Sequence, residues 1–202
     1  MSTTPQPDGT EVLKERALIK QAQKGDPDAA RQLVESHQQR LFAFIWRLVR
    51  NYHEAEEICQ EAFLRAFANI ERFDENFRFS TWLFTIGYRL SLNRMRKVLP
   101  IATELDANRL SCNQQPGPEL VAQTEEAAKL KRLVWDCVDR LTPTQRAATL
   151  LYYREGLSCQ EISDIMELPA ATVKSHLHRG RAKLRELLAD VAEADWQSLR
   201  LA

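Results

Sequence analysis

LSCQEISDIMELPAATVKSHLHRGRAKLR, residues Leu157 to Arg185, reads as two short helices around a tight turn, the second of them heavily basic. Ser158 with Glu161 three residues on is a capping box, which satisfies orphan amides at a helix start and predicts a helix from about Cys159. Ile162, Ile165 and Met166 supply its apolar face. Glu167-Leu168-Pro169 breaks the run, because proline lacks an N–H and restrains the residue before it. A second helix follows from about Ala170, with Val173, Leu177 and Leu184 turned inward. Its outer side carries Thr172, Ser175, His176, Arg179 and Lys183 on one stripe and Lys174, His178, Arg181 and Arg185 on the next, with no acid from Ala170 to Arg185. This is the pattern of a helix-turn-helix, whose second helix suits the major groove: hydroxyl and basic donors in the first turns meet base edges, and later Lys and Arg neutralise phosphates. Basic amphipathic helices also lie on membranes, but the capped helix and turn just upstream favour nucleic acid.

Working outward, the apolar spacing stays helical almost everywhere. Leu130, Leu133, Val134, Cys137, Val138 and Leu141 form one stripe, and Thr142-Pro143-Thr144-Gln145 is a second capping box that opens a helix through Ala147, Leu150 and Leu151. Upstream, helical patterning runs from about Glu11 to Leu99, with breaks near Lys24-Gly25-Asp26-Pro27 and at Phe73 to Phe77. Asp26 is the expected N-cap, with Pro27 at the first helical position. Residues Pro100 to Glu119, ending in Gln114-Gln115-Pro116-Gly117-Pro118, carry little periodicity and read as a linker. The expected fold class is therefore all-α: two small helical domains joined by a flexible tether.

At 202 residues, with ordinary apolar and charged fractions, the chain has the composition of a globular protein. The N-terminus reads as no signal peptide, and the apolar run Leu41 to Trp46 is far too short to span a bilayer. The four cysteines, Cys59, Cys112, Cys137 and Cys159, form no C-x-x-C pair and are expected to be reduced thiols of a cytoplasmic protein, mostly small core residues. A zinc site from Cys159, His176 and His178 fits no standard ligand spacing. The residues also offer no catalytic triad or phosphate loop, so neither an enzyme nor a cofactor is expected.

The formal net charge of zero conceals a division along the chain. In HEAEEICQEAFLRAFANIERF, His53 to Phe73, the residues Phe63, Phe67 and Ile70 make a core stripe, while Glu54, Glu57 and Glu61 share another face. An acidic stripe is ordinarily a solvated surface. FRFSTWLFTIGYRLSLNRMRK, Phe77 to Lys97, instead interleaves Phe77, Phe79, Trp82, Phe84 and Tyr88 with Arg78, Arg89, Arg94, Arg96 and Lys97 and has no acid. Most of these aromatics belong in a core, yet planar groups beside cations are also what unpaired DNA needs for stacking and backbone contact. Local basic surfaces beside a separate acidic one suit a protein that meets DNA only when a partner holds it there.

In order and spacing these segments resemble the extracytoplasmic-function sigma factors of bacterial RNA polymerase, over nearly the whole chain from about Ala17 to Leu188. Tyr52 to Phe73 resembles region 2.2, whose helix docks on the clamp helices of the polymerase β′ subunit. The resemblance thereby implies polymerase contacts at Glu54, Glu57, Gln60 and Glu61. Phe77 to Lys97 resembles regions 2.3 and 2.4, which melt and read the promoter −10 element. That implies −10 contacts at Arg78, Trp82, Arg89, Asn93, Arg96 and Lys97, with a displaced base captured by the loop Asp74 to Arg78. Leu141 to Leu187 resembles region 4, which implies −35 contacts at Thr172, Lys174, Ser175, His176, His178, Arg179 and Lys183.

The implied domains are an N-terminal extension 1–16, a region 2 domain 17–99, a linker 100–124, a region 4 domain 125–188 and a tail 189–202. The implied partners are core RNA polymerase, through its β′ clamp helices and β flap, and promoter DNA. Many members are also held inactive by an anti-sigma protein. No membrane partner is implied. A helix-turn-helix regulator acting without polymerase would share the C-terminal pattern but would leave the acidic helix and the aromatic-basic segment without a role.

Overall fold

In the computed structural model, which describes residues 9–74, 77–98 and 125–200, the chain divides into two compact helical units, built mainly from the residues before and after the expected linker. The residues before Gly9, Glu75 and Asn76 in the expected capture loop, and the linker with Cys112 lie outside the described residues. No strand occurs among the described residues.

The N-terminal unit is organised by α2 (Pro27–Val49), against which α1 (Gly9–Gln23), α3 (Tyr52–Ala68) and α4 (Phe79–Val98) all pack. Asp26 accepts from the amides of Asp28 (2.9 Å) and Ala29 (3.3 Å), with Pro27 opening the helix as expected. One break was not expected: Arg50 takes the left-handed conformation (φ 58°) and Asn51 caps α3 by accepting from the Glu54 amide at 3.1 Å. Phe44, Phe79, Phe84, Leu33, Leu41, Ile45 and Leu83 are fully buried between the helices. Each such side chain contributes roughly 1.5–3 kcal/mol of burial. Gly87 brings α4 onto α2, since a Cβ there would lie 2.9 Å from Leu41 Cδ1. The expected N-terminal extension ends inside α1, because Ile19 and Ala22 are core residues and carry that helix with them.

The C-terminal unit comprises α5 (Glu125–Asp139), α6 (Pro143–Thr149), α7 (Cys159–Met166) and α8 (Ala170–Arg200). Both capping boxes form: Gln145 N–H donates to Thr142 Oγ1, and Glu161 N–H to Ser158 Oγ at 3.2 Å, while each N-cap amide is returned a bond by the Gln or Glu side chain. A π-helical turn, Leu150–Arg154, continues α6 where ordinary α-helix was expected. The turn of the helix-turn-helix is closed by Glu167 in the left-handed conformation (φ 55°), its N–H bonded to Ser163 O, and by Ser163 Oγ donating to Leu168 O at 2.5 Å. A bonded turn outweighs the ~1–2 kcal/mol that this conformation costs a non-glycine residue. Arg146, nearly fully buried, donates to Val138 O, Asp139 O and Leu141 O, capping the end of α5.

One expectation is modified here. The apolar stripe of α5 is buried only at Cys137 and Val138 and at Leu141 just beyond the helix, whereas Leu130 is 63% exposed and Val134 38% exposed. The expected tail begins within α8, which runs on through Arg200 because no Gly or Pro interrupts residues 188–200.

Candidate nucleic-acid and polymerase interfaces

The basic helix α8 begins just after Pro169, whose carbonyl accepts from Thr172 N–H at 2.8 Å and Val173 N–H at 3.1 Å. Val173, Leu177 and Leu187 are buried, and Gly180 approaches Thr149 Oγ1 closely (3.1 Å from its would-be Cβ). This inward stripe turns Lys174, Ser175, His178, Arg179 and Lys183 to the exterior, with Thr172 and His176 half-buried on its flanks. Leu184, expected to turn inward, is half-buried. Ser175 Oγ donates back to Ala171 O at 3.0 Å and Lys183 pairs with Glu186 at 2.8 Å, so the exposed cations are not all equally available. Burial, then the nearby charge of Arg179, pulls His176 below the ordinary imidazole value, which leaves the ring neutral at pH 7. Its Nδ1 is buried without a hydrogen-bond partner. A helix is roughly 10–12 Å across with its side chains, which matches the ~12 Å width of the major groove.

In the N-terminal unit, α4 lines up Trp82, Arg89, Asn93 and Arg96 at intervals of seven, four and three residues, with Lys97 beside them. From Trp82 to Arg96 the helix rises roughly 21 Å, the length of about six bases spaced at ~3.4 Å. Arg89, Asn93, Arg96 and Lys97 are exposed, as is Arg78 just before the helix. Trp82 is half-buried instead, tilted against Phe73 at 5.1 Å and edge-on to Phe79 at 5.9 Å, so one part of its indole is core and another open. Phe77, 61% exposed beside Arg78, is an aromatic face open to solvent that spacing alone could not separate from the core aromatics.

The acidic stripe and the basic segment do not form separate surfaces. Arg94 Nη2 reaches Glu57 Oε2 at 2.8 Å, and its Nη1 lies 3.9 Å from Glu54 Oε1, which ties α4 to α3. Glu61 pairs along its own helix with Arg65 at 2.7 Å. Gln60 is exposed, and so is Leu64, at 67%. Leu64 lies three, four and seven residues beyond Glu61, Gln60 and Glu57, so it shares their face, a placement readable from the sequence as an apolar residue off the Phe63, Phe67 and Ile70 stripe.

In the C-terminal unit Tyr152 (40% exposed) and Tyr153 (51% exposed) project from the π-helical turn. Among the described residues there is no group of three or more His, Cys, Asp or Glu able to hold a metal ion, and no helix long and apolar enough to cross a membrane. Burial pushes the Cys59 thiol up to about 11, which makes it inert.

Residues 33–98 match the family model for sigma-70 region 2, and residues 131–184 that for sigma-70 region 4. The chain is 36% identical to the ECF RNA polymerase sigma factor SigW of Bacillus subtilis (strain 168), over 89% of this chain and 98% of the relative. It is 29% identical to the ECF RNA polymerase sigma-E factor of Escherichia coli (strain K12), over 85% of this chain and 93% of the relative. A solved structure of the sigma factor RpoE with the anti-sigma factor NepR from Bartonella quintana shares the fold at a TM-score of 0.62 and 23% identity, covering 79% of this chain and 96% of that one.

Proposed function

From the premise that this chain belongs to the extracytoplasmic-function sigma factors, binding core RNA polymerase and directing promoter-specific initiation, we propose how its own residues divide that work. The face of Glu54, Glu57, Gln60 and Glu61, extended by Leu64, docks on the β′ clamp helices. An exposed apolar residue at the end of a polar face gives such a contact a patch that can be desolvated, which charges alone lack. The C-terminal unit meets the β flap. An anti-sigma protein is included among the partners, as for many members of the family.

Promoter opening falls to the loop at Asp74 to Arg78 and to α4. Extruding a base costs a few kcal/mol of stacking, which exposed Phe77 and the open part of Trp82 return as aromatic surface. Arg78, Arg89, Arg96 and Lys97 follow the backbone of the unpaired strand, and Asn93 offers an amide to its bases. The first turns of α8 read the −35 element through Thr172, Lys174, Ser175, His178 and Arg179, with Lys183 on phosphate and neutral His176 as an uncharged flank. Engaging both elements from one polymerase raises the effective concentration of each unit for its site. The protein makes no bond itself; polymerase supplies the chemistry.

The observation that carries this division is the alignment of exposed Arg89, Asn93 and Arg96 on one face of α4, whose opposite face is core. Run-off transcription with purified core polymerase tests it. Alanine at both Arg89 and Asn93 should preserve core binding yet reduce open complex on duplex promoters, with partial rescue on a template already unpaired across the −10 element. Equal loss on both templates would count against the assignment.

A further inference from the structure

The entry to the capture loop is held from outside its own segment. The chain leaves α3 through a 3-10 turn, Ile70–Arg72, and Phe73 is the last buried residue before Asp74. Gln23, the final residue of α1, sends its side-chain amide across a separation of 47 to 50 residues to this turn. Its Nε2 donates to Ile70 O at 3.0 Å and to Phe73 O at 3.4 Å. Both partners are acceptors, so the amide orientation follows from their chemistry: the oxygen in that place would face two carbonyls.

The groups held this way border the proposed site. The Phe73 ring packs on Phe79 at 5.7 Å and on Trp82 at 5.1 Å, while Phe77 N–H donates to Asp74 O at 3.0 Å. A second brace from α1 ends on the same aromatic group. Glu15 Oε1 lies 2.8 Å from His37 Nε2, and the largely buried His37 ring packs against Phe79 at 5.3 Å. The first helix therefore supports the loop at its entry through Gln23 and at its exit through His37 and Phe79.

We propose that Gln23 is a positioning residue for promoter opening: its two donated bonds set the backbone from which the loop at Asp74 to Arg78 departs, and with it the angle at which Phe73 presents Trp82. The inference rests on the reading of that loop as the site of base capture. It predicts a dependence on donor chemistry that packing alone would not give. Methionine matches the length of glutamine without a donor, lysine keeps donors on a longer stem, and glutamate sets a carboxylate against the two carbonyls.

The test uses holoenzyme assembled with Gln23→Met, Gln23→Lys or Gln23→Glu, with Phe77→Ala and Arg78→Ala as probes of the loop itself. Core affinity, unfolding midpoint and open complex on duplex and pre-unpaired templates are measured for each. Gln23→Met should lower open complex on duplex about five- to tenfold, the loss that one or two neutral hydrogen bonds support, with core affinity unchanged. Gln23→Lys should recover at least half of that loss, and Gln23→Glu should fall at least as low as Gln23→Met. Wild-type opening by Gln23→Met, a lysine variant no better than methionine, or a loss that follows core affinity or unfolding midpoint would each overturn the proposal. If Phe77→Ala and Arg78→Ala both open promoters normally, the capture reading itself fails and takes this proposal with it. If only they are impaired, capture stands and Gln23 is dispensable.

Discussion

Replacing Arg94 by glutamine should tighten, not weaken, the grip of this sigma factor on core polymerase. In the free chain Arg94 lies against Glu57 at 2.8 Å and near Glu54 at 3.9 Å, so it is an internal competitor for the acids proposed to meet the β′ clamp. Arg94 is 36% exposed and Glu57 64%, so solvent screens the pair and its worth lies within the ~0.2–1 kcal/mol measured for exposed bridges. Docking that borrows Glu57 forfeits this amount, and a variant without Arg94 has nothing to forfeit. Core affinity should therefore rise about two- to fivefold at low salt, and the gain should shrink as the Debye length shortens. Competition against a labelled second sigma factor for limiting core reads the change directly. A double-mutant cycle with Glu57→Gln isolates the cause, since Arg94→Gln should gain much less where Glu57 is already gone. Unchanged or weakened core binding by Arg94→Gln at low salt would refute the reasoning and remove Glu57 from the docking face.

Two further outcomes test the C-terminal unit. Arg179→Ala should flatten base preference at one or two adjacent −35 positions, because a bidentate guanine contact discriminates by about 1–3 kcal/mol, whereas Lys174→Ala should weaken every −35 variant by a similar factor and lower the salt slope by roughly one. A −35 substitution series in which the Arg179 variant keeps the parent's full preference would shift the assignment to Ser175 or His178. Arg146→Met removes donors to three carbonyls at the end of α5 and should destabilise the C-terminal unit by about 2–4 kcal/mol, visible as a lower calorimetric midpoint and faster amide exchange in α5. A shift below about 1 kcal/mol would mean that water replaces the guanidinium at little cost.

The helix starts were the most legible features, because a cap is a local bargain between a side chain and amides two or three residues away. Asp26, Thr142 and Ser158 all cap where their sequence neighbours said they should. Asn51 is a cap of the same kind and could have been read from its spacing to Glu54, but the largely apolar run from Phe42 to Val49, broken only by Arg47, masked the break beside it. Helix faces were less legible than helix starts. The spacing of Leu130 and Val134 announces a helix, but periodicity does not say what covers its apolar side, and among the described residues Leu130 stays 63% and Val134 38% exposed. Arg146 eluded reading for the opposite reason: a cation in a surface-like context is buried because the last carbonyls of α5 lack intrahelical donors.

The same limit governs the candidate site. Charge runs locate an acidic helix and a basic one, but they cannot show that Arg94 crosses between the two, a contact between residues 37 apart in sequence that exists only because α3 packs on α4. That contact changes what the neutral net charge means. A chain with its cations wholly committed to DNA would bind promoters without help, and its affinity would follow the phosphates it neutralises. Here one arginine of α4, the helix proposed to face the −10 element, is paired with the helix proposed to bind polymerase, and Lys183 of α8, proposed to read the −35 element, is paired with Glu186. Self-pairing of a cation lowers what it can contribute to any DNA by a little, which matters because nonspecific sites vastly outnumber promoters. On polymerase the loss is offset, since two tethered contacts acting together gain effective concentration that neither has alone. Weak DNA affinity in a free chain is thus compatible with strong promoter choice by its holoenzyme, and internal salt bridges such as these act in that direction.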